Sequence, residues 1–292
     1  VLASDSDGDG LSYTLNGNNS TLFSIGSSSG VLRFQSAPDY ETQTSYSLTV
    51  QVCDDVAPYR CASQDITVNV TNLNDNNPVI SSSATFSAAE NQTSIGSISA
   101  SDADGDSLTY SISGSEINIS SSGALTFASA PDYETKNSYT ATVTVSDGTN
   151  STTQDITVNV TNLNDNNPVI SSSATFSAAE NQTSIGSISA SDADGDSLTY
   201  SISGSEINIS SSGVLTFDSA PDYETKNSYT ATVTVSDGTN STTQNITVNV
   251  TDITENVAPT ISGLSSSITV AENQTSVVSV SASDGNGDTF IV

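Results

Sequence analysis

The chain has 292 residues, with 33 Asp or Glu against 4 Lys or Arg, and its formal net charge is −29. It contains no His, Met or Trp, which excludes histidine general-base catalysis, histidine metal ligation and Ser-His-Asp triads. Four basic residues are too few to form a basic patch. Nucleic acid and anionic membranes are therefore poor partners. No apolar run approaches the ~20 residues that cross a bilayer, and direct membrane insertion is not expected.

The acidic residues lie in short motifs among patterned β-branched and aromatic residues, which argues against a disordered chain despite the high charge. The first residues show no signal-peptide pattern and no initiating Met. We therefore expect residue 1 to be an internal position of a longer protein.

An internal repeat organises the chain. Residues 72–161 and 162–251 align without a gap and differ only at Ala124/Val214, Ala128/Asp218 and Asp155/Asn245. The preceding residues follow the same template more loosely, and the last residues begin another copy. A period this long exceeds that of solenoid repeats and predicts an array of small independent domains. The predicted repeats are 1–77, truncated at its N-terminus, 78–167, 168–257, and 258–292, which is the start of a further copy.

Within a repeat, apolar residues alternate with Ser, Thr and Asn. In repeat two the alternating runs are, in chain order, Leu108–Ile112, Leu125–Phe127, Tyr139–Val145 and Ile156–Val160. Period-two alternation predicts strands with one buried face, and Thr favours strand conformation on the other face. Asp-Gly, Ser-Gly and Pro-Asp turns separate the runs. The sequence therefore predicts an all-β fold, with each repeat a β-sandwich of about seven short strands.

Four acidic motifs recur in the same order in both complete repeats. In repeat two they are Ala89-Glu90-Asn91, Asp102-Ala103-Asp104, Asp132-Tyr133-Glu134 and Ser146-Asp147-Gly148. Acids two residues apart on an extended strand point to the same side, and two close carboxylates repel each other. A hard cation removes this conflict, and calcium takes about six to eight oxygen ligands of these kinds. Each pair alone is also typical of ordinary turns, but the recurrence of all four predicts bound Ca²⁺.

This order of motifs, completed by N-L-N-D-N-N-P between repeats, resembles the cadherin repeat, whose linker reads D-x-N-D-N-x-P. The resemblance covers the whole chain. It implies tandem seven-stranded Greek-key sandwiches arranged end to end, with three Ca²⁺ at each junction. For the junction of repeats two and three, it implies the following ligands, with Leu163 and Asn166 acting through their carbonyls: Glu90, Asp132, Glu134, Leu163, Asn164, Asp165, Asn166, Asp192, Asp194 and Asp237. Seven of these are carboxylates, so three Ca²⁺ would nearly neutralise the site.

The other two junctions depart from this pattern. At the junction of repeats one and two, where the A-E-N glutamate would precede residue 1, the implied ligands are Asp39, Glu41, Leu73, Asn74, Asp75, Asn76, Asp102, Asp104 and Asp147. At the third junction they are Glu180, Asp222, Glu224, Glu255 and Asp284. The third linker is one residue longer and has Thr254 and Glu255 in place of Asn and Asp, so we expect fewer or weaker ions there. The first linker position is Asn72 or Asn162, where the family usually has Asp.

The loop Asp5–Gly10 begins like an EF-hand, which is an alternative calcium motif. Its twelfth position is Asn16 instead of Glu, and no flanking helices are predicted. Sequons at Asn69, Asn91, Asn150 and Asn240 are expected by chance in a chain rich in Asn, Ser and Thr.

Cys53 and Cys61 are the only cysteines and lie where the other repeats have a tight Asp-Gly turn. Their spacing suits a disulfide closing a longer hairpin, with two free thiols as the alternative. Their number and spacing exclude a zinc or CxxC redox site.

The sequence predicts a calcium-rigidified segment of a large extracellular adhesion or surface protein, acting as a spacer or as a homophilic or heterophilic adhesion module. Near-identical neighbouring repeats favour a spacer, which needs length more than a unique site. The alternatives are a subunit of an extracellular filament or surface layer, and a polysaccharide-binding module. An enzyme is not expected, because no nucleophile-base pair is present. The expected partners are neighbouring repeats of the same chain, then another copy, a cell-surface protein or a glycan.

Overall fold

A computed structural model describes residues 1–255 and 258–283. Within these ranges the chain is almost entirely β-structure, and the one helical element is a short 3-10 turn at Ser20–Leu22. None of the described helical structure is long and apolar enough to span a bilayer. The chain divides into two compact units, Val1–Asn162 and Leu163–Val292.

The first unit begins with repeat one, which forms two antiparallel sheets. Its strands are β1 (Leu11–Asn16), β2 (Phe23–Ile25), β3 (Leu32–Phe34), β4 (Ser45–Asp54) and β5 (Cys61–Asn69). The larger sheet has the order β1-β4-β5, and β2 pairs with β3. Its core is small and centres on Phe23, Tyr46 and Leu48.

Repeat two completes the first unit and is a full sandwich. Its strands are β6 (Val79–Ile80), β7 (Thr85–Ala89), β8 (Ser94–Ser97), β9 (Ala100–Ser101), β10 (Thr109–Ile112), β11 (Ile117–Ile119), β12 (Ala124–Phe127), β13 (Ser138–Ser146) and β14 (Ser151–Thr161). One sheet has the order β10-β13-β14-β7, the facing sheet β11-β12-β8, and β6 pairs with β9. Only the pairing of β14 with β7 is parallel.

The alternating runs account for the core of repeat two. Val143 and Val145 of β13, and Ile156 and Val158 of β14, are at most 1% exposed, while the intervening Thr residues face outward. Burial of such side chains is worth about 1.5–3 kcal/mol each. The four predicted runs all fall on observed strands, so the all-β sandwich prediction is confirmed.

Repeat three, in the second unit, has the same sheets and register. Its strands are β15 (Val169–Ile170), β16 (Thr175–Ala179), β17 (Ser184–Ser187), β18 (Ala190–Ser191), β19 (Thr199–Ile202), β20 (Ile207–Ile209), β21 (Val214–Phe217), β22 (Ser228–Ser236) and β23 (Ser241–Thr251). Two further short strands follow and pair with each other, β24 (Thr260–Ser262) and β25 (Ser281–Ser283).

The strand ends decide where the acidic motifs lie. In repeat two, β7 runs parallel to β14, and the Glu90 N–H donates to the Thr161 carbonyl where the chain leaves the repeat. The hairpin of β13 and β14, which contains Asp147, lies at the far end of β13. The four motifs are thereby divided between the two ends of the sandwich.

Candidate metal centres

We call the group at the end where the chain leaves a repeat the carboxyl-end cluster. In repeat two it consists of Glu90, Asp132 and Glu134, and in repeat three of Glu180, Asp222 and Glu224. In each cluster a carboxylate oxygen from every member lies within 4.8 Å of the others. The structure therefore brings these three predicted ligands together in both repeats.

The glutamate of this cluster is buried. Glu90 is 2% exposed and Glu180 1%, and each accepts a hydrogen bond of 2.8 Å from the N–H of the following Tyr, Tyr133 or Tyr223. Hydrogen bonds from backbone N–H groups offset only part of the cost of removing a carboxylate from water. A cation beside the cluster would offset more of it.

Two neighbouring acids in repeat three respond to their surroundings in opposite directions. The Thr225 hydroxyl and backbone N–H lower the pKa of Asp222. Although its own backbone N–H lowers it, the pKa of Glu224 is raised by desolvation and by the charges of Glu180 and Asp252. The cluster thus holds at least one carboxylate that lacks sufficient positive or donor groups around it.

We call the group at the other end the amino-end cluster. In repeat two it consists of Asp102, Asp104 and Asp147, and in repeat three of Asp192, Asp194 and Asp237. Asp102 follows β9, and its Oδ1 accepts the Asp104 N–H at 3.0 Å. Asp147 follows β13, and its Oδ1 accepts the N–H groups of Thr149 and Asn150, both at 2.6 Å. Although desolvation alone raises it, these two donors bring the pKa of Asp147 below its ordinary value.

In four of these aspartates one carboxylate oxygen makes no hydrogen bond to the described residues. Within the described part of the chain, Oδ2 of Asp102 and of Asp147 is buried and has no hydrogen-bond partner, and the same holds for Asp192 and Asp237. A buried carboxylate oxygen without a partner is costly and rare in folded proteins. Hard oxygen donors in this state suit Ca²⁺. The residues present therefore fit the predicted ion.

The linker before repeat two is bound to the amino-end cluster. Asp104 Oδ2 accepts the N–H groups of Asp75 and Asn76 at 3.1 and 2.8 Å, and its Oδ1 accepts the side-chain amide of Asn76 at 2.9 Å. The Asn76 amide lowers the pKa of Asp104. Asn72 donates from its side chain to the Asp104 carbonyl at 2.7 Å. An Asp at position 72 could not make that bond, which accounts for Asn in this linker.

Repeat one also contributes a carboxylate to the group around Asp104. Carboxylate oxygens of Glu41, Asp75 and Asp104 lie within 4.8 Å of one another, so repeat one, the linker and repeat two each contribute an acid. Desolvation raises the pKa of Glu41, and the carboxylates of Asp39 and Asp104 add to the shift. Asp39 is tied to Thr42 by its own hydrogen bonds, which lower its pKa. Leu73, whose carbonyl was the predicted ligand, has an exposed side chain.

The linker before repeat three makes the same bonds inside the second unit. Asp194 Oδ2 accepts the N–H groups of Asp165 and Asn166 at 3.0 and 2.9 Å. The predicted ligands on each side of this junction are thus grouped within their own units. Their joint coordination of ions stays a prediction.

The third linker is bonded to the carboxyl end of repeat three. Glu180 Oε1 accepts the Ile253 N–H at 2.7 Å, and Glu255 accepts the side-chain amide of Asn181. The predicted ligand Asp284 lies outside the described residues.

Other sequence predictions can be compared with the structure. Cys53 and Cys61 face each other on β4 and β5 and form a disulfide. Asp5 Oδ1 accepts the Asp7 N–H, as Asp102 does that of Asp104, so the EF-hand-like loop is the corresponding turn of repeat one. No α-helix flanks it in the described chain.

Sequence reasoning missed two features of the amino-end cluster. Asp106 contributes an oxygen within 4.8 Å of those of Asp102 and Asp104, and the D-x-D-x-D spacing could have indicated it. The side chain of Asn150 contacts the linker from the β13–β14 hairpin. The only motif that contained Asn150 was a glycosylation sequon, which does not indicate a contact with the linker.

Fold and clusters together define a class, namely tandem β-sandwich repeats with acidic groups at both ends of each repeat. Residues 74–161 and 164–251 each match the bacterial Ig domain family. The chain belongs to that family. Its repeats are also cadherin-like, which is compatible because cadherin and immunoglobulin domains share the sandwich architecture.

The curated relatives are cadherins. The chain is 32% identical over 237 residues to human Cadherin EGF LAG seven-pass G-type receptor 1, covering 74% of this chain and 8% of the relative. It is 32% identical over 311 residues to human Protocadherin Fat 1, covering 94% of this chain and 7% of the relative. The chain thus spans less than a tenth of the length of these relatives.

Solved structures agree. Three repeats of mouse Cadherin-23, EC22-24, superimpose with a TM-score of 0.67 at 24% identity, covering 84% of this chain and 87% of that one. The Protocadherin GammaB4 extracellular domain gives a TM-score of 0.68 at 26% identity, covering 93% of this chain and 48% of that one. The predicted cadherin likeness is confirmed, and so is the predicted extracellular, cell-surface location.

Proposed function

We propose that this chain is a calcium-binding, calcium-rigidified segment of a large extracellular adhesion or surface protein, acting as a spacer or adhesion module. The observation that carries the proposal is the set of buried oxygens without a protein hydrogen-bond partner on Asp102, Asp147, Asp192 and Asp237, at identical positions in both complete repeats. In ordinary turns the side-chain oxygens of aspartate accept from nearby backbone donors.

The ligands divide into two groups at each junction. The amino-end cluster of one repeat would hold an ion with the side-chain oxygen of Asn74 and the carbonyl of Asn76, both of which lie against repeat two. The carboxyl-end cluster of the preceding repeat would hold the others. When bound, Ca²⁺ supplies the positive charge that these groups lack.

Stiffness follows from where the acids lie. In the first unit, Glu41 belongs to repeat one, whereas Asp104 belongs to repeat two, and their carboxylates lie within 4.8 Å. Without a cation two such charges repel each other. With one, the same two residues link the repeats, while the apolar cores, formed mainly by the alternating strand residues, would fold in either state.

Near-identical repeats placed in tandem lengthen the chain without adding a new kind of site, which suits a spacer. We propose the repeat boundaries predicted from the sequence, 1–77, 78–167, 168–257 and 258–292, with neighbouring repeats as the first partners. A second copy is the next candidate, since one similar structure is a cis-dimer of Protocadherin gammaB7 EC3-6. No enzymatic activity is proposed.

Thermal unfolding in excess Ca²⁺ and in EDTA tests the proposal. A ligand that binds only the folded state adds ~2.7 kcal/mol at a hundredfold excess over Kd, so the midpoint should rise clearly with Ca²⁺. Mg²⁺ should substitute poorly, because it prefers a small octahedral shell and gives up water reluctantly. Equal midpoints in Ca²⁺ and EDTA would refute calcium binding.

A further inference from the structure

The side-chain amide of one Asn in each complete repeat is directed at the preceding linker. Asn150 Nδ2 donates to Asn74 Oδ1 at 3.2 Å and to the Asn76 carbonyl at 3.1 Å. In the second unit Asn240 Nδ2 donates to Asn164 Oδ1 and the Asn166 carbonyl at 3.0 and 3.2 Å. Both hydrogens of each amide are therefore used. The two units show the same arrangement independently.

The hairpin between β13 and β14 holds Asn150 firmly. Its N–H donates to Asp147 Oδ1 at 2.6 Å, and its carbonyl accepts from the Ser146 hydroxyl at 2.9 Å. The residue is half-buried. Its amide is thus part of the body of repeat two, and the linker is what it positions.

The linker is also tied to repeat two by two other groups. Asp104 accepts the N–H groups of Asp75 and Asn76, and Asn72 donates to the Asp104 carbonyl. On the other side, the Val70 N–H donates to the Thr44 carbonyl of repeat one at 2.9 Å.

The first linker makes different kinds of contact with the two repeats beside it. On the repeat-two side the contacts are donor–acceptor bonds that need no metal. On the repeat-one side, Glu41 faces Asp75 and Asp104, which are carboxylates like itself. At the first junction the linker is therefore bonded to repeat two without a metal, whereas Glu41 of repeat one faces two carboxylates.

We propose that Asn150 and Asn240 are linker-positioning residues, which lock each linker to the following repeat before calcium binds. Calcium then meets two oxygens, those of Asn74 and Asn76, already in place. The calcium part of this statement rests on the proposed function.

The test uses the 292-residue chain with Asn150→Ala, Asn150→Asp and, as the matched control, Asn118→Ala on the exposed face of β11. Hydrogen exchange in EDTA is followed by mass spectrometry for peptides covering residues 72–78 and 138–146. Loss of two hydrogen bonds should speed exchange of 72–78 by about tenfold in both Asn150 variants. Exchange of 138–146 should not change, and the control should match the unmodified chain.

Calorimetric titration with Ca²⁺ separates positioning from a general structural role. Asn150→Ala should weaken binding by about tenfold, as expected for the same two hydrogen bonds. Asn150→Asp cannot donate, yet it adds a carboxylate beside the ion, so its affinity should equal or exceed that of the unmodified chain. A purely structural residue would change exchange and affinity together in both variants.

Unchanged exchange of residues 72–78 in Asn150→Ala would overturn the inference, whatever the calcium result. If the unmodified chain binds no calcium, the proposed function fails, and the exchange measurement in EDTA still decides whether the linker is locked. If Asn150→Ala disturbs residues 138–146 as well, Asn74→Ala replaces it, because it removes an acceptor of the Asn150 amide from the linker without altering the hairpin. Unchanged exchange of residues 72–78 in Asn74→Ala in EDTA would equally contradict the inference.

Discussion

Replacement of Asp102 by Asn should have opposite effects on stability with and without calcium. Asp102 Oδ1 accepts the Asp104 N–H, and an Asn carbonyl oxygen can keep that bond. The buried Oδ2 has no partner, so replacing it by a neutral NH₂ removes an unsatisfied charge. Relief of such a group is worth about 1–3 kcal/mol, and the variant should therefore unfold at higher temperature than the unmodified chain in EDTA.

In calcium the order should reverse. If the lost carboxylate weakens calcium binding about thirtyfold, the stabilisation at a hundredfold excess falls from ~2.7 to ~0.9 kcal/mol. The loss of about 1.8 kcal/mol exceeds the lower end of the gain in EDTA, about 1 kcal/mol, so the order reverses when the gain lies near that end. Asp155→Asn is the matched control, because it removes the same charge from the exposed face of β14 and repeat three has Asn245 there naturally.

Differential scanning calorimetry of the three chains in both buffers checks the reasoning. The Asp102→Asn curve should cross that of the control between EDTA and Ca²⁺, and the control should move in parallel with the unmodified chain. If Asp102→Asn and Asp155→Asn shift the midpoint equally in both buffers, Asp102 is not a ligand and its free oxygen has no role in binding.

Three further changes probe the linker, the disulfide and the core. Asp165→Ala should leave β-sheet circular dichroism unchanged in Ca²⁺ but reduce the maximum dimension in small-angle scattering; an unfolded repeat would mean that calcium is part of the core. Without reductant, mass spectrometry should find no alkylatable thiol at Cys53 or Cys61, and their joint replacement by Ser should cost less than the ~3 kcal/mol of a 15-residue loop; two labelled thiols would contradict this. Ile156→Ala should destabilise repeat two by about 2–5 kcal/mol, a loss that denaturant unfolding should find in EDTA as well as in Ca²⁺; a loss in Ca²⁺ alone would mean that the core depends on the ion.

The strands that sequence predicted best are those whose pattern is local. Tyr139–Val145 and Ile156–Val160 alternate with a period of two, and they lie in β13 and β14, whose inward side chains are buried. Alternation reflects which face of a strand meets the core, and neighbouring residues in the chain are enough to reveal it. The pairing of β7 with β14 in parallel was not accessible in this way, because it joins residues about seventy positions apart.

By itself the sequence determined the repeat, the strand faces and the acids that would gather at the ends of each sandwich, since all three depend on residue type and spacing. Only the tertiary structure decided which carboxylate oxygens backbone donors satisfy and which stay free, as in Asp102 and Asp147. It also decided that Asn150 holds the linker across 74 residues of sequence. A hydrogen bond depends on where its donor lies in space, and the fold brings that donor from a distant part of the chain.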